Sequence, residues 1–308
     1  MDLQRRILER RGEFLLFALT PPRRATSALR AQEIADITAK RLQELDLDGL
    51  VLYDIDDESD RNPQERPFPF LPTMDPAEYL SRHLEDWNTP TVVYRAVGKH
   101  VESELRSWLG TQEPDRVLTV FVGAASRKKP VATSLRRAHE LRAEVAPDLL
   151  LGGVAIPERH TRSGEEHLRM LAKQAAGCSF FVTQVVYDVN AAKNLVSDYR
   201  YECLSLGLDP MPIVFTFSVC GSVKTLDFLQ WLGVDVPRWT QNELRHAEDT
   251  LEASFDQALA TARELMTYSR RLDVPFGINV ESVSNRRAEI ESSVNLAARL
   301  QDELHRSP

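Results

Sequence analysis

The stretch 177–188, GCSFFVTQVVYD, decides how this chain is read. Gly177 closes a helical segment, a turn follows, and residues 180–187 are rich in the aromatic and β-branched side chains that suit a strand. Thr183 and Gln184 interrupt the apolar run. A glutamine amide offers a donor side and an acceptor side, so Gln184 is suited to reading the edge of a flat heterocycle. The plainer alternative is an amide hydrogen-bonded inside a barrel or at a strand end.

Working outward, the helix–turn–strand unit recurs along the whole chain. Strand patterns fall at 14–19, 49–55, 91–97, 116–122, 148–155, 180–187, 212–218 and 275–280. Helix-spaced apolar patterns fall at 31–45, 75–86, 100–109, 132–143, 164–176, 191–206, 223–232, 242–270 and 287–304. Eight strands alternating with helices over 308 residues predict a single α/β domain, 1–308, folded as a (β/α)8 TIM barrel with a helical insertion after strand seven. An open doubly wound sheet would suit the same alternation, but no GxGxxG follows the first strand. A barrel places its chemistry on the loops that follow the strands.

Composition limits the partners. Of the residues, 46 are acidic and 38 basic, a net charge of −8, which argues against a broad basic nucleic-acid surface. The three cysteines, Cys178, Cys203 and Cys220, form no CxxC pair and leave one over, which suits a reducing cytoplasm. No run approaches the roughly 20 apolar residues of a membrane span, and the first residues carry no apolar signal core. The expectation is a cytoplasmic protein that takes a small molecule, with no nucleic acid and no membrane. A homo-oligomer and a subunit of a larger complex both remain open.

The strand ends carry LTPPRR after strand one, Tyr53 through Arg61 after strand two, Tyr94 and Arg95, then 123–127, IPERH (156–160), Gln184 with Tyr187 and Asp188, 220–222, and finally Asn279, Glu281, Ser282 and Asn285. This pattern resembles the methylenetetrahydrofolate reductase family of flavin-containing (β/α)8 barrels. GCSFFVTQVVYD looks like that family's sixth strand, where a Gln after Thr contacts the pterin. VAIPERH is similar to its Tyr-Pro-Glu-x-His run beside the flavin, and LTPPRR to its Phe-Phe-Pro-Pro-Arg turn. The resemblance implies reduction of 5,10-methylenetetrahydrofolate to 5-methyltetrahydrofolate by NADH or NADPH. It implies folate contacts at Gln184, Thr183, Tyr187 and Arg287. For the flavin it implies contacts at His160, Lys173 and Ser59.

The chain also departs from the family. The Glu that protonates folate there is Ala18 here, and the Arg-Gly-Asp after strand four is Val122-Gly123-Ala124. The glycine-rich loop that offers backbone N–H groups to flavin phosphates is replaced by Asp56-Asp57-Glu58-Ser59. Carboxylates there would repel a diphosphate, which argues against FAD held in the family's manner. Direct hydride transfer from the nicotinamide fits these losses better.

A replacement acid is then needed. Asp54, Glu281 and Glu158 are the catalytic candidates, since clustered or buried carboxylates rise in pKa. The plainer reading of Glu158 is an ion pair with Arg127 or Arg159. The residues 54–60 are also open to cation binding or to simple solvation. Two other classes of function stay open on the same barrel. One is transfer of a one-carbon unit from folate to another acceptor without net reduction. The other is a non-catalytic barrel that binds folate or a partner.

Overall fold

The computed structural model describes residues 2–59, 62–123 and 130–306. Eight parallel strands close in chain order: β1 (Phe14–Leu19), β2 (Gly49–Leu52), β3 (Thr91–Ala96), β4 (Val117–Val122), β5 (Leu151–Ala155), β6 (Cys178–Val185), β7 (Ile213–Ser218) and β8 (Phe276–Glu281). Closure comes from β8 pairing with β1, with Leu16 opposite Asn279 and Ala18 opposite Glu281. The expected (β/α)8 barrel is the observed fold.

Helices precede, separate and follow the strands: α1 (Leu3–Leu8), α2 (Ala28–Leu42), α3 (Pro76–His83), α4 (Glu102–Gly110), α5 (Leu135–Val145), α6 (Pro157–Ser163), α7 (Glu166–Ala175), α8 (Val189–Ser205), α9 (Val223–Trp231), α10 (Arg238–His246), α11 (Thr250–Arg271) and α12 (Arg287–His305). Several begin where a short polar side chain accepts from the first free N–H groups: Ser27, Asp75, Ser134, Asp188, Ser222 and Asp249. Such a cap contributes about 1 kcal/mol to its helix.

Strand periodicity divides the apolar residues into two layers. Leu16, Val51, Val92, Leu118, Val120, Phe180, Val182 and Val214 form one buried cluster inside the barrel. Their neighbours Leu15, Phe17, Leu50, Phe181, Phe215 and Ile278 pack outward in a second cluster with helix side chains. Phe14 fills the barrel floor because residue 277 is glycine: a Cβ there would stand 2.2 Å from the Phe14 ring. Leu3 and Ile7 of α1 join the inner cluster, so this helix plugs the bottom of the barrel. The sequence pattern gave no element there, because six residues are too few to show a helical period.

Two further elements differ from expectation. IPERH does not continue as a strand-end loop. Pro157 opens α6, where its missing N–H costs nothing, and Gly164 ends it at φ 68°. The helix expected over 242–270 is two helices, α10 and α11, with Asp249 capping the second through Leu251 and Glu252 N–H. Among the described residues no helix is long and apolar enough to cross a membrane.

Candidate functional site at the barrel mouth

A cavity of about 590 Å³ opens at the C-terminal ends of the strands. Its floor is the last inward-facing layer, where the side chains turn from apolar to polar. Asn279 is fully buried on β8, and its Nδ2 donates to the Tyr53 hydroxyl at 3.0 Å and to Thr216 Oγ1 at 3.2 Å. Tyr53 in turn donates to Glu281 Oε2 at 2.5 Å. The Tyr94 ring meets Tyr53 edge-on, with centroids 4.9 Å apart. Glu281 thus faces the cavity from a low-dielectric wall with a single hydroxyl partner. Burial pushes its carboxyl up, the Tyr53 hydrogen bond pulls it partly back, and the result is about 7.

Across the mouth, β6 presents Thr183, Gln184 and Val185 together. Strict alternation would put adjacent residues on opposite faces. The register with β7 shifts, however: Val182 pairs with Val214 and Val185 with Thr216, so β6 carries an extra residue. Thr183 Oγ1 accepts from Thr216 N at 3.0 Å and fixes this bulge. A bulge re-aims side chains, and here Gln184 reaches the cavity with its Nε2 donating to Leu232 O at 3.2 Å.

The roof comes from two long connections. Trp231 Nε1 donates to Gln64 O at 2.9 Å, and Asn62 Nδ2 to Trp231 O at 3.0 Å, tying the segment after β2 to α9. Arg66 lies 5.2 Å over each of the Phe228 and Trp231 rings. Its Nε and one terminal nitrogen are buried without hydrogen-bond partners. Burial lowers the Arg66 pKa, against the opposing pull of Asp57 and Glu58. Trp239 stands apart from this roof and is exposed.

The structure sorts the expected site residues. Gln184, Thr183, Glu281 and Asp54 line the mouth. Asp54 is closed in, with a side chain only 4% exposed. Its carboxylate accepts from Ala96 N at 2.7 Å and faces Lys99 and, at 3.6 Å, His100. Burial alone would raise it, but the His100 ring beside it, the Lys99 hydrogen bond and charge, and the Ala96 N–H outweigh that and hold it below the usual value. Asp54 is therefore a fixed anion, poorly suited to donate a proton.

Glu158 is not in the cavity wall: α6 carries it under the α9–α10 connection, where Oε1 accepts from Asp235 N at 3.5 Å. Burial raises its carboxyl to about 7. Arg159 pairs instead with Glu166 at 3.9 Å, while Arg127, Ala124 and Asp60 lie outside the described residues. Tyr187 is buried in a satellite cluster with Cys220, Leu226 and Leu229, so it packs beneath the mouth without lining it. Arg287, on the first turn of α12, is 82% exposed and pairs with Glu291 at 2.7 Å, away from the cavity.

The three residues expected around a flavin do not converge. His160 sits on the outer helical layer, its Nε2 2.9 Å from Asp198 Oδ2. Ser59 is an exposed loop residue bonded to Asp57. Lys173 alone reaches the cavity wall, with its Nζ donating to Val154 O. With carboxylates at Asp56 and Glu58 on the rim, this set does not form an FAD cradle. The helix at 157–163 explains the miss: it turns Glu158 and His160 off the strand axis.

Tyr53, Tyr94, Asn279 and Arg66 belong to the site without a sequence signal that marks them for it. Period-two counting back from Glu281 would have placed Asn279 inside the barrel, but nothing local marks Arg66. A larger cavity of about 750 Å³ lies outside the barrel between α3 and α4. There Arg95 stacks 4.8 Å over Trp108 and pairs with Asp75 at 2.7 Å. This outer cavity shares no lining residue with the cavity at the barrel mouth.

No protein-family model matches the chain, and no curated protein matches it. Among solved structures, a xylanase from Caldicellulosiruptor owensensis is 13% identical over 92% of this chain and 89% of its own, at TM-score 0.46. A dihydropteroate synthase from Xanthomonas albilineans is 13% identical over 96% of this chain and 94% of its own, at TM-score 0.44. Neither likeness carries an argument about function. A protein from Clostridium thermocellum, described as binding two copies of 5-methyl-5,6,7,8-tetrahydrofolic acid, is 40% identical, with TM-score 0.87. The match covers 98% of this chain and 99% of that one, and the chain belongs to the same family as this Clostridium thermocellum protein.

Proposed function

We propose that the barrel mouth binds a reduced folate and carries out a one-carbon reaction on it, with Glu281 as the proton donor. The observation that carries this reading is the pairing of a carboxyl raised to about 7 at Glu281 with an amide at Gln184 in one cavity. The relative that binds 5-methyltetrahydrofolate supports the choice of ligand. Gln184 Oε1 and Nε2 give a pterin edge an acceptor and a donor, and Tyr53 and Tyr94 give its ring an aromatic wall.

The reductase reading assigns the steps as follows. A hydride from NADH or NADPH goes to the methylene carbon of 5,10-methylenetetrahydrofolate. The bond from that carbon to N10 breaks, and N10 takes the proton held by Glu281. Tyr53 then stabilises the carboxylate that remains. General acid catalysis of this kind is worth roughly 100- to 10,000-fold. The hydride passes directly, since the residues around the mouth do not suit FAD. Asp54 has a separate part, holding Lys99 and the β3–α4 connection in place.

A second reading keeps the folate and the acid but drops the net reduction. The rim carries Asp56 and Glu58, and carboxylates there suit a cationic or amine acceptor of the one-carbon unit. Here too the released folate nitrogen needs a proton.

The test is a thermal-shift series with 5-methyl- and 5,10-methylenetetrahydrofolate on the wild type and on Gln184→Ala, followed by NAD(P)H oxidation with the methylene form. Stabilisation by folate that Gln184→Ala abolishes, with folate-dependent NAD(P)H oxidation by a colourless protein, supports the reductase. Folate binding without oxidation moves the reading to transfer. No stabilisation by either folate overturns both.

A further inference from the structure

On the outer face of the barrel, in the helical layer behind β5 and β6, two histidines and an aspartate from three successive helices converge. His160 comes from α6, His167 from the first turn of α7 and Asp198 from α8. Each can offer one ligand atom such that all three lie within 4.8 Å of one another. His160 is 4% exposed, and its Nε2 stands 2.9 Å from Asp198 Oδ2. The His160 and His167 rings meet edge to face, with centroids 5.3 Å apart.

An ion pair between His160 and Asp198 accounts for one of these contacts and leaves the others unexplained. Both histidines keep a buried Nδ1 with no hydrogen-bond partner. A buried polar atom left unmade costs roughly 1–3 kcal/mol, so a purely structural histidine is normally held through both ring nitrogens. His167 is only half-buried. Asp198 is 54% exposed at the solvent end of the group, which gives an ion a way in and leaves room for water.

We propose that His160, His167 and Asp198 form a binding site for a divalent transition cation of the zinc type. Two imidazole nitrogens and one carboxylate oxygen are a zinc donor set, with the fourth position left to water or to an incoming ligand. Nitrogen donors favour such ions over magnesium or calcium, which take oxygen ligands. The site ties α6, α7 and α8 together. The same α6 also carries Glu158 and leads out of β5, so the cation would clamp the wall behind the mouth without touching folate. The three cysteines are all buried and none is in the group.

The experiment uses the full chain, freed of any affinity tag, stripped with a chelator and dialysed. Zn2+ is titrated by calorimetry and Co2+ by visible absorption, on the wild type, His167→Gln and Asp198→Asn. Circular dichroism serves as the check on folding. The expected result is one equivalent of Zn2+ per chain, a Co2+ spectrum of low-coordinate nitrogen–oxygen type, and a loss of affinity of about tenfold or more in each variant. Asp198 is exposed, so Asp198→Asn keeps the test valid even where His167→Gln fails to fold. Absence of stoichiometric Zn2+ uptake by the wild type, or uptake unchanged by Asp198→Asn, overturns the proposal.

Discussion

Asp54 and Glu281 stand one strand apart around the barrel, at the ends of β2 and β8, and they have opposite fates. Asp54 is met by a lysine, a histidine and a backbone N–H, and these hold it as an anion despite its burial. Glu281 meets one tyrosine hydroxyl in a more deeply enclosed setting, and burial wins, raising it to about 7. Two carboxylates at matching places on one fold are thus given different chemistry by their partners. One holds structure in place, and the other is able to carry a proton near neutrality.

The largest effect that can break this comparison is on turnover. Glu281→Gln keeps the shape and removes the proton, so turnover of bound folate should fall roughly 100- to 10,000-fold while folate affinity changes little. Asp54→Asn should leave the rate within a few-fold and instead lower the melting temperature, because Lys99 loses its buried partner. If the two variants swap these outcomes, the assignment of acid and anchor is reversed.

Next in size is binding. Gln184→Ala removes an amide that has no substitute in the mouth. The loss of one or two hydrogen bonds to folate, at about 1 kcal/mol each, should weaken affinity by roughly tenfold in a calorimetric titration.

A smaller effect sharpens the electrostatics. The Tyr53 hydroxyl lowers the Glu281 pKa, so Tyr53→Phe should raise it. With Glu281 as the proposed proton donor, its acid form is the working one, so the limb on which activity falls with rising pH, centred near 7 in the wild type, should move to higher pH. The stability counterpart follows from the same sign. A carboxyl with an unfolded value near 4.5 and a folded value of about 7 contributes stability that is fully present below the former and is lost as pH rises through the latter. Wild-type stability should therefore decline between those values, by roughly 1–3 kcal/mol from this group, and Glu281→Gln should lessen that decline in urea melts, the remainder coming from Glu158, which is raised to the same value. The smallest effect belongs to Arg287→Ala, which should leave folate affinity unchanged, since that side chain is bonded to Glu291 on the helix surface.

The same contrast shows what the sequence could reveal. The barrel was readable because alternation of strands and helices is written in apolar spacing from Phe14 to Leu304. Gln184 was readable because it breaks an apolar strand. The bulge that brings Thr183 beside it into the cavity is a register shift between two strands, and no local pattern records it. Glu158 and His160 were misplaced for a local reason: Pro157 reads equally as the end of a strand or the start of a helix. Asp54 and Glu281 looked alike as acids at strand ends, because their difference lies in Lys99, His100 and Tyr53. Of these, Tyr53 is more than two hundred residues from Glu281 in the chain. Arg66 is not legible because two of its three aromatic partners, Phe228 and Trp231, come from α9, more than 150 residues along the chain, and only Phe70 is local.

The most direct test of the central claim is calorimetric titration of 5-methyltetrahydrofolate into the wild-type chain and into Gln184→Ala, side by side. Saturable binding by the wild type, with one site weakened by about tenfold in the variant, is the predicted result. No binding to the wild type, or the same affinity and stoichiometry in both, would contradict the placement of folate in the barrel mouth.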